Sequence, residues 1–118
     1  MSYNSNIKSK DIDEFFKAVL ELETEKECYM FFEDICTIKE IQSISQRLQV
    51  AKLLKLNKTY SEIEEETGAS TATISRISKC LFYGAGGYRL ILDRLGYIDI
   101  EKKEKKKKRI KGLWPFFV

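Results

Sequence analysis

The side chains with the most specific binding chemistry lie between positions 70 and 79. Hydroxyl groups, a methyl side chain and two cations are concentrated there, and no acidic residue occurs from Ser70 through Leu92. Hydroxyl, guanidinium and ammonium groups bind phosphate oxygens and base edges, and a methyl group contacts thymine. This composition therefore indicates binding to duplex DNA. The residues are Ser70, Thr71, Ala72, Thr73, Ser75, Arg76 and Lys79, with Thr59 as a further phosphate-contacting candidate at the start of the preceding helix.

Residues that catalysis requires are scarce in this chain. The sequence contains no histidine, no cluster with metal-ligand spacing and no glycine-rich phosphate loop, and no nucleophile has an evident base. We therefore expect neither an enzyme nor a protein with a metal or another cofactor. Cys28, Cys36 and Cys80 lack C-x-x-C spacing and lie in apolar helical patterns, which predicts reduced thiols in the core and no disulfide framework.

Net charge is unevenly distributed along the 118 residues, which limits what it can explain. The total is +3, but residues 101–118 contain eight Lys or Arg and only two Glu. Residues 1–37 contain four Lys and nine Asp or Glu, whereas residues 38–82 contain seven basic and five acidic side chains. The basic total is thus weak support for nucleic-acid binding, and local geometry has to decide.

Length and composition predict one helical domain with two tails. A chain of this length suits a single compact domain, which we expect at residues 10–100, between an N-terminal tail at 1–9 and a basic, then apolar tail at 101–118. If the C-terminal tail contributes to DNA binding, we expect it to add salt-sensitive, sequence-independent affinity. We interpret its apolar end as a variable end, with burial on a partner or contact with a membrane surface as the alternatives. The sequence has no run of eighteen apolar residues and no apolar signal segment, so we expect a cytoplasmic protein without membrane contact.

Six helices are predicted from their boundary residues. Capping boxes, in which a side-chain acceptor precedes a glutamate by three positions, occur four times and predict helix starts. Asn57, Gly68 and Gly96 predict left-handed helix ends, and the glycines between 84 and 87 predict a break. No convincing alternating strand pattern occurs, so the fold class is all-α. The capping boxes begin at Asp11, Thr24, Thr37 and Thr59; Ser70 caps the fifth helix, and the sixth covers residues 88–95.

The fourth and fifth helices are short and separated by a glycine turn, which is typical of a helix-turn-helix. Ile63 lies five positions before Gly68, and Ile74 and Ile77 lie six and nine positions after it, where the second helix packs on the first. Glu64 departs from the pattern, since many such motifs have a small apolar residue there. The alternative interpretation is a simple corner of a helical bundle.

The fifth helix has distinct inward and outward faces at 100° per residue. Ile74, Ile77 and Leu81 form the inward row. We expect the small outward side chains to contact base edges or thymine methyls, and the cations to contact phosphates or guanine. The outward residues are Ala72, Ser75, Arg76 and Lys79, with Thr71 at the exposed N-terminal edge.

The first two helices carry more aromatic surface than they can easily cover alone. Phe15, Phe16, Tyr29, Phe31 and Phe32 all occur there. We expect these side chains to form a homodimer interface, with an ordinary hydrophobic core as the alternative.

A family resemblance accompanies these patterns. The segment Gly68-Ala-Ser-Thr-Ala-Thr-Ile-Ser-Arg76, preceded by Ile41-Gln-Ser-Ile-Ser-Gln-Arg-Leu-Gln-Val-Ala-Lys-Leu-Leu54, resembles the Trp repressor family and, within it, the YerC/YecD branch. The resemblance covers about residues 12–95. It implies a six-helix, intertwined homodimer that presents two recognition helices to successive major grooves of a near-palindromic site.

The resemblance also implies a pocket for a small-molecule corepressor. In that family a threonine and two arginines hold tryptophan, and they match Thr37, Arg47 and Arg76. Two neighbours depart from the family: Ile77 replaces a glycine beside the indole, and Cys80 replaces a serine that holds the ligand's amino group. Because overfilling a packed space typically costs about 1–3 kcal/mol, we expect tryptophan to fit poorly. A solvated or helix-pairing Arg47 is the alternative.

Together these features predict a dimeric, sequence-specific DNA-binding regulator of transcription, acting as a repressor. A dimeric adaptor that uses the same helices for protein contacts, with its acidic N-terminal half as the working surface, is the alternative from another class. DNA binding in replication is a third interpretation, which these residues do not separate from transcription.

Overall fold

The computed structural model describes residues 3–97. This part of the chain consists of six α-helices joined by short turns and contains no strand, which confirms the predicted all-α, six-helix fold class. None of these helices is long and apolar enough to cross a bilayer. The tail predicted at residues 101–118 lies outside the described residues. The helices are α1 (Lys10–Val19), α2 (Glu25–Ile35), α3 (Ile38–Lys55), α4 (Tyr60–Thr67), α5 (Thr71–Tyr83) and α6 (Gly87–Arg94).

The chain is divided into two compact units, and the boundary falls within α3, after Ile41. The first unit contains α1, α2 and the beginning of α3. The second contains the rest of α3 together with α4, α5 and α6.

Aromatic rings connect α1 and α2 in the first unit, but neither helix contains a buried residue. The ring centroids of Phe15 and Phe31 lie 6.2 Å apart, and each ring also lies 5.4 Å from that of the phenylalanine after it. Phe16, Tyr29 and Met30 are 51%, 63% and 59% exposed. In a single chain, α1 and α2 therefore do not form the ordinary hydrophobic core that was the alternative to a dimer interface.

The start of α1 differs from the prediction. Ser9 is the N-cap, and its hydroxyl accepts a hydrogen bond from the backbone N–H of Ile12 at 3.1 Å. Asp11 and Asp13 instead lie in the first turn, where acidic side chains interact favourably with the helix dipole. The prediction that Asp11 caps this helix was wrong, because Ser9, two residues earlier, already caps it by accepting from the amide of Ile12.

The other three helix starts predicted from capping boxes are confirmed. The hydroxyls of Thr24, Thr37 and Thr59 accept hydrogen bonds from the amide three residues later, at 3.1, 3.1 and 3.2 Å. At Thr37 and Thr59 the capping box is complete, because the following glutamate also accepts from the backbone N–H of the threonine at 2.8 Å. At Thr24 the glutamate accepts from the N–H of Glu23 instead, at 2.9 Å.

α3 and α6 end in the same way. Asn57, with φ of 64°, and Gly96, with φ of 94°, adopt the left-handed conformation. In each case the amide of the next residue donates to the carbonyl five positions earlier, at 3.0 and 2.9 Å, as in the Schellman motif. Both predicted left-handed helix ends are confirmed.

The hydrophobic core lies in the second unit. It combines the C-terminal part of α3 with α4, α5 and α6. Ile44, nearer the start of α3, is 54% exposed, so α3 is not covered along its length within one chain. The buried residues are Val50, Ala51, Leu53, Ile63, Ala69, Ile74, Ile77, Leu81 and Leu92.

The prediction of core cysteines was wrong. All three thiols are free, but Cys28 and Cys80 are exposed and Cys36 is half-buried. Helical periodicity assigns a residue to an apolar face, but it does not reveal whether anything in the same chain covers that face.

Gly84 ends α5 at a position where a side chain does not fit. A Cβ atom there would lie 2.4 Å from the carbonyl oxygen of Cys80, whereas a Cβ at Gly87 would meet no heavy atom within 4 Å. We expect Gly84→Ala to lower the free energy of unfolding by about 1–3 kcal/mol, because the backbone must shift. Gly87→Ala, at the first position of α6, should leave stability unchanged or raise it by up to about 1 kcal/mol.

Urea denaturation followed by circular dichroism, at one fixed protein concentration, measures both variants. Equal stability of the two would contradict this account of how α5 ends.

Candidate nucleic-acid interface

The turn between α4 and α5 is built from backbone and hydroxyl hydrogen bonds. Gly68 ends α4 with φ of 74°. The Thr67 hydroxyl donates to the carbonyl of Ile63 at 2.7 Å and accepts from the amide of Ala69 at 3.2 Å. The side-chain amide of Gln46, on α3, donates to the carbonyl of Thr67 at 3.0 Å. The turn is thus attached to the longest helix of the second unit.

An apolar row fixes how α5 lies against the rest of this unit. Ile63 and Ile74 are completely buried, and Ile77 and Leu81 are 3% and 2% exposed. The inward row predicted from helical spacing is therefore buried. Because these side chains occupy one side of α5, the opposite side must face solvent.

The side of α5 opposite this row is exposed. It contains no acidic residue, and among residues 3–97 neither Arg76 nor Lys79 has an ion-pair partner. Both cations are therefore available to bind an anionic partner. The structure places all five residues predicted to face outward on the exposed surface, namely Thr71, Ala72, Ser75, Arg76 and Lys79.

Two of the predicted contact residues, Thr59 and Ser70, cap helices, and their hydroxyls and that of Thr73 already make hydrogen bonds. The Ser70 hydroxyl accepts from the amide of Thr73 at 3.2 Å and lies 3.0 Å from the Thr73 hydroxyl. The Thr59 hydroxyl lies 3.2 Å from a carboxylate oxygen of Glu62. Hydrogen bonds from the backbone and side chain of Thr59 lower the pKa of Glu62. An ionised carboxylate beside Thr59 is unfavourable for a phosphate contact at that residue.

Glu64 makes a contact across the turn that the sequence did not predict. One of its carboxylate oxygens accepts a hydrogen bond from the hydroxyl of Thr71 at 2.8 Å. The outward face is acid-free along α5 itself, but an acidic group from α4 adjoins its N-terminal edge. Because the two residues are seven positions apart and lie on different helices, helical periodicity does not predict this contact. The only signal was the departure of Glu64 from the small apolar residue usual at that position.

The residues of the predicted effector pocket have different environments. Thr37 belongs to the first unit, and both its hydroxyl and its amide are engaged by Glu40 in the capping box of α3. Ile77 is part of the hydrophobic core of the second unit. The remaining three, Arg47, Arg76 and Cys80, are exposed.

Tyr88, on α6, is an additional residue beside this predicted pocket. Burial raises the pKa of its phenol; the nearby Cys80 thiol raises it further, and the Arg47 guanidinium lowers it. Tyr88 also packs against the hydrophobic core, so in sequence it is not distinguishable from an ordinary core residue.

Comparison with known proteins gives a consistent family assignment. The family model described as Trp repressor protein matches residues 10–96. The uncharacterised protein YerC of Bacillus subtilis (strain 168) is 50% identical over 99 residues, which is 84% of this chain and 95% of that protein.

Two crystal structures are also similar in sequence and in fold. A candidate Trp repressor from Staphylococcus aureus is 53% identical with a TM-score of 0.75, and the match covers 79% of this chain and 93% of that one. A TrpR-like protein from Eubacterium eligens is 49% identical with a TM-score of 0.76, over 80% and 98% of the two chains. Since the family model and these relatives all match most of its length, this chain belongs to the Trp repressor family.

Proposed function

We propose that this protein is a homodimeric, sequence-specific DNA-binding regulator that represses transcription, with α5 as its recognition helix. The observation that carries the proposal is the exposed, acid-free face of α5, opposite the buried row that positions the helix. Membership of the Trp repressor family supports it. On this proposal the protein acts in the cytoplasm and has no cofactor, and residues 10–100 carry the function.

The side chains of α5 have separate roles in this proposal. Arg76 and Lys79 contact guanine or phosphate, since both are exposed cations with no ion-pair partner among residues 3–97. Thr71, Ala72 and Ser75 contact base edges or thymine methyls. The hydroxyls of the remaining candidates already make hydrogen bonds, so we assign these residues to the positioning of α4 and α5, with phosphate contact through the N-terminal amides of α5. They are Thr59, Ser70 and Thr73.

Assembly into a homodimer is part of the same proposal. Large apolar side chains are exposed on α1, α2 and the beginning of α3, where they would be costly to leave in water. A second copy with the same surface can cover them by two-fold symmetry. Two recognition helices would then read two half-sites about one helical turn apart. The exposed residues include Phe16, Leu20, Tyr29, Met30, Ile35, Ile38 and Ile44.

A dimeric protein adaptor is the second candidate function. The acidic surplus of residues 1–37 favours it, because that surface repels nucleic acid and suits a basic protein partner. An adaptor would not select a DNA sequence, so the same experiment separates the two candidates. A genome-wide footprint of bound protein would then distinguish promoters from replication origins.

The first test is selection of duplexes from a random pool, followed by affinity measurements on the enriched sequence at several salt concentrations. We expect a near-palindromic motif. Arg76→Ala should weaken binding to it by about 1–3 kcal/mol and relax specificity at one position. Lys79→Ala should weaken binding to every sequence and reduce the slope of log affinity against log salt by about 1.

Lys26→Ala is the matched control, since it removes one exposed cation from α2, outside the proposed interface. It should leave the enriched motif and its affinity nearly unchanged. If Arg76→Ala and Lys79→Ala behaved like this control, α5 would not be the recognition helix.

The second test concerns the corepressor pocket. We expect L-tryptophan to leave DNA affinity unchanged, because Ile77 fills the space beside the predicted pocket with core side chain and Cys80 lacks the hydroxyl of the family's serine. Titration calorimetry of the protein with L-tryptophan, together with DNA affinity measured with and without the amino acid, checks this. Stoichiometric binding in the micromolar range would show that the pocket is functional.

A further inference from the structure

We infer that the hydrogen bond to Glu64 leaves the Thr71 hydroxyl able only to accept a further hydrogen bond, so that Thr71 selects a DNA base carrying an exocyclic amino group. This inference rests on the proposed function, because it specifies which base one residue of α5 reads. Thr71 is the specificity-determining residue, and Glu64 is a positioning residue that acts through it.

The hydrogen bond between these two side chains determines the direction of every other bond that Thr71 can make. The Thr71 hydroxyl oxygen lies 2.8 Å from a carboxylate oxygen of Glu64. An ionised carboxylate has no proton and only accepts, whereas a threonine hydroxyl has a single proton to donate. The bond to Glu64 uses that proton. What Thr71 offers to a further partner is therefore a lone pair.

The location of this pair suits contact with a base edge. Thr71 is the first residue of α5, the end of a recognition helix whose side chains reach bases in the major groove. Glu64 is held beside it, because the Glu64 carbonyl accepts the amide of Gly68 at 2.9 Å in the turn that joins the two helices. Both side chains are exposed, so an approaching base edge can reach the Thr71 oxygen.

The pattern of donors in the major groove converts this polarity into a base preference. Cytosine and adenine present an amino group there, whereas guanine and thymine present a carbonyl oxygen at the corresponding place. A lone pair on Thr71 can accept from the amino group. Opposite a carbonyl, two acceptors would meet without a proton, and the charge on Glu64 would add to the repulsion. A phosphate is disfavoured for the same reason.

The test compares the unchanged protein with Thr71→Val, Glu64→Ala and the double variant in selections from a random duplex pool. The informative position is the one whose preference Thr71→Val abolishes. We expect the unchanged protein to prefer cytosine or adenine there by about tenfold or more. In Glu64→Ala the freed hydroxyl can also donate, so this preference should fall below about threefold. In the Thr71→Val background, Glu64→Ala should change nothing further at this position.

Glu65→Ala is the matched control for charge. Glu65 is also exposed on α4 and has no hydrogen bond among the described residues. Its removal should raise affinity for all duplexes, as removal of Glu64 should, but should leave the base preference intact. Circular dichroism of each variant checks that the helices are retained.

The outcomes separate this inference from the function on which it rests. If the unchanged protein enriched no sequence, the proposed function would fail and the inference with it. If it enriched a motif whose preferences were the same in Glu64→Ala, the inference alone would fail. The inference would also be overturned if Glu64→Ala altered the base preference by the same amount in the Thr71→Val background as in the unchanged protein. Glu64 would then read the base directly.

Discussion

Packing of α5 against α4 is the interaction on which the rest of the candidate interface depends. Ile63 and Ile74 are completely buried, and Ile77 is nearly so. Each such side chain contributes about 1.5–3 kcal/mol when it leaves water, so a rotation of α5 that exposed this row would cost much of the stability of a small domain. Because a helix turns by 100° per residue, this row sends Ser75 and Lys79 to the solvent side. The surface of α5 is thus determined by its buried side.

The same packing bears on whether a ligand can control this helix. A ligand shifts an equilibrium only through a difference in its affinity for two states. Here Ile77, which the resemblance places beside the predicted ligand pocket, belongs to the hydrophobic core. Because core packing already fixes the orientation of α5, a ligand would change that orientation little. This favours control of the proposed DNA binding by protein concentration or by dimer assembly.

Local sequence signals were sufficient to predict most of the fold, but they did not predict the tertiary contacts. Thr37, Thr59 and Gly68 were predictable because a cap or a left-handed turn depends on atoms within a few residues. The predicted start of α1 was wrong because Ser9 and Asp11 are both suitable N-cap residues and the sequence does not rank them. The prediction that Cys28 is buried was wrong, because periodicity identifies an apolar face but not whether another part of the chain covers it. Helical spacing separated the two faces of α5, whereas the hydrogen bond from Thr71 to Glu64 depends on how two helices cross.

The distribution of burial along the chain links the proposed homodimer to the proposed DNA binding. All nine buried core residues lie in the second unit, and α1 and α2 have none, although their aromatic rings contact one another. A unit of about forty residues rarely forms a stable hydrophobic core of its own. The stability of the first unit therefore depends on covering the apolar surface that is exposed in a single chain. If a second copy covers this surface, the stability of α1 and α2 rises with protein concentration. In that proposed dimer, the association that covers α1 and α2 also brings the two proposed recognition helices together, so we expect a lone chain, with one half-site contact, to bind DNA weakly.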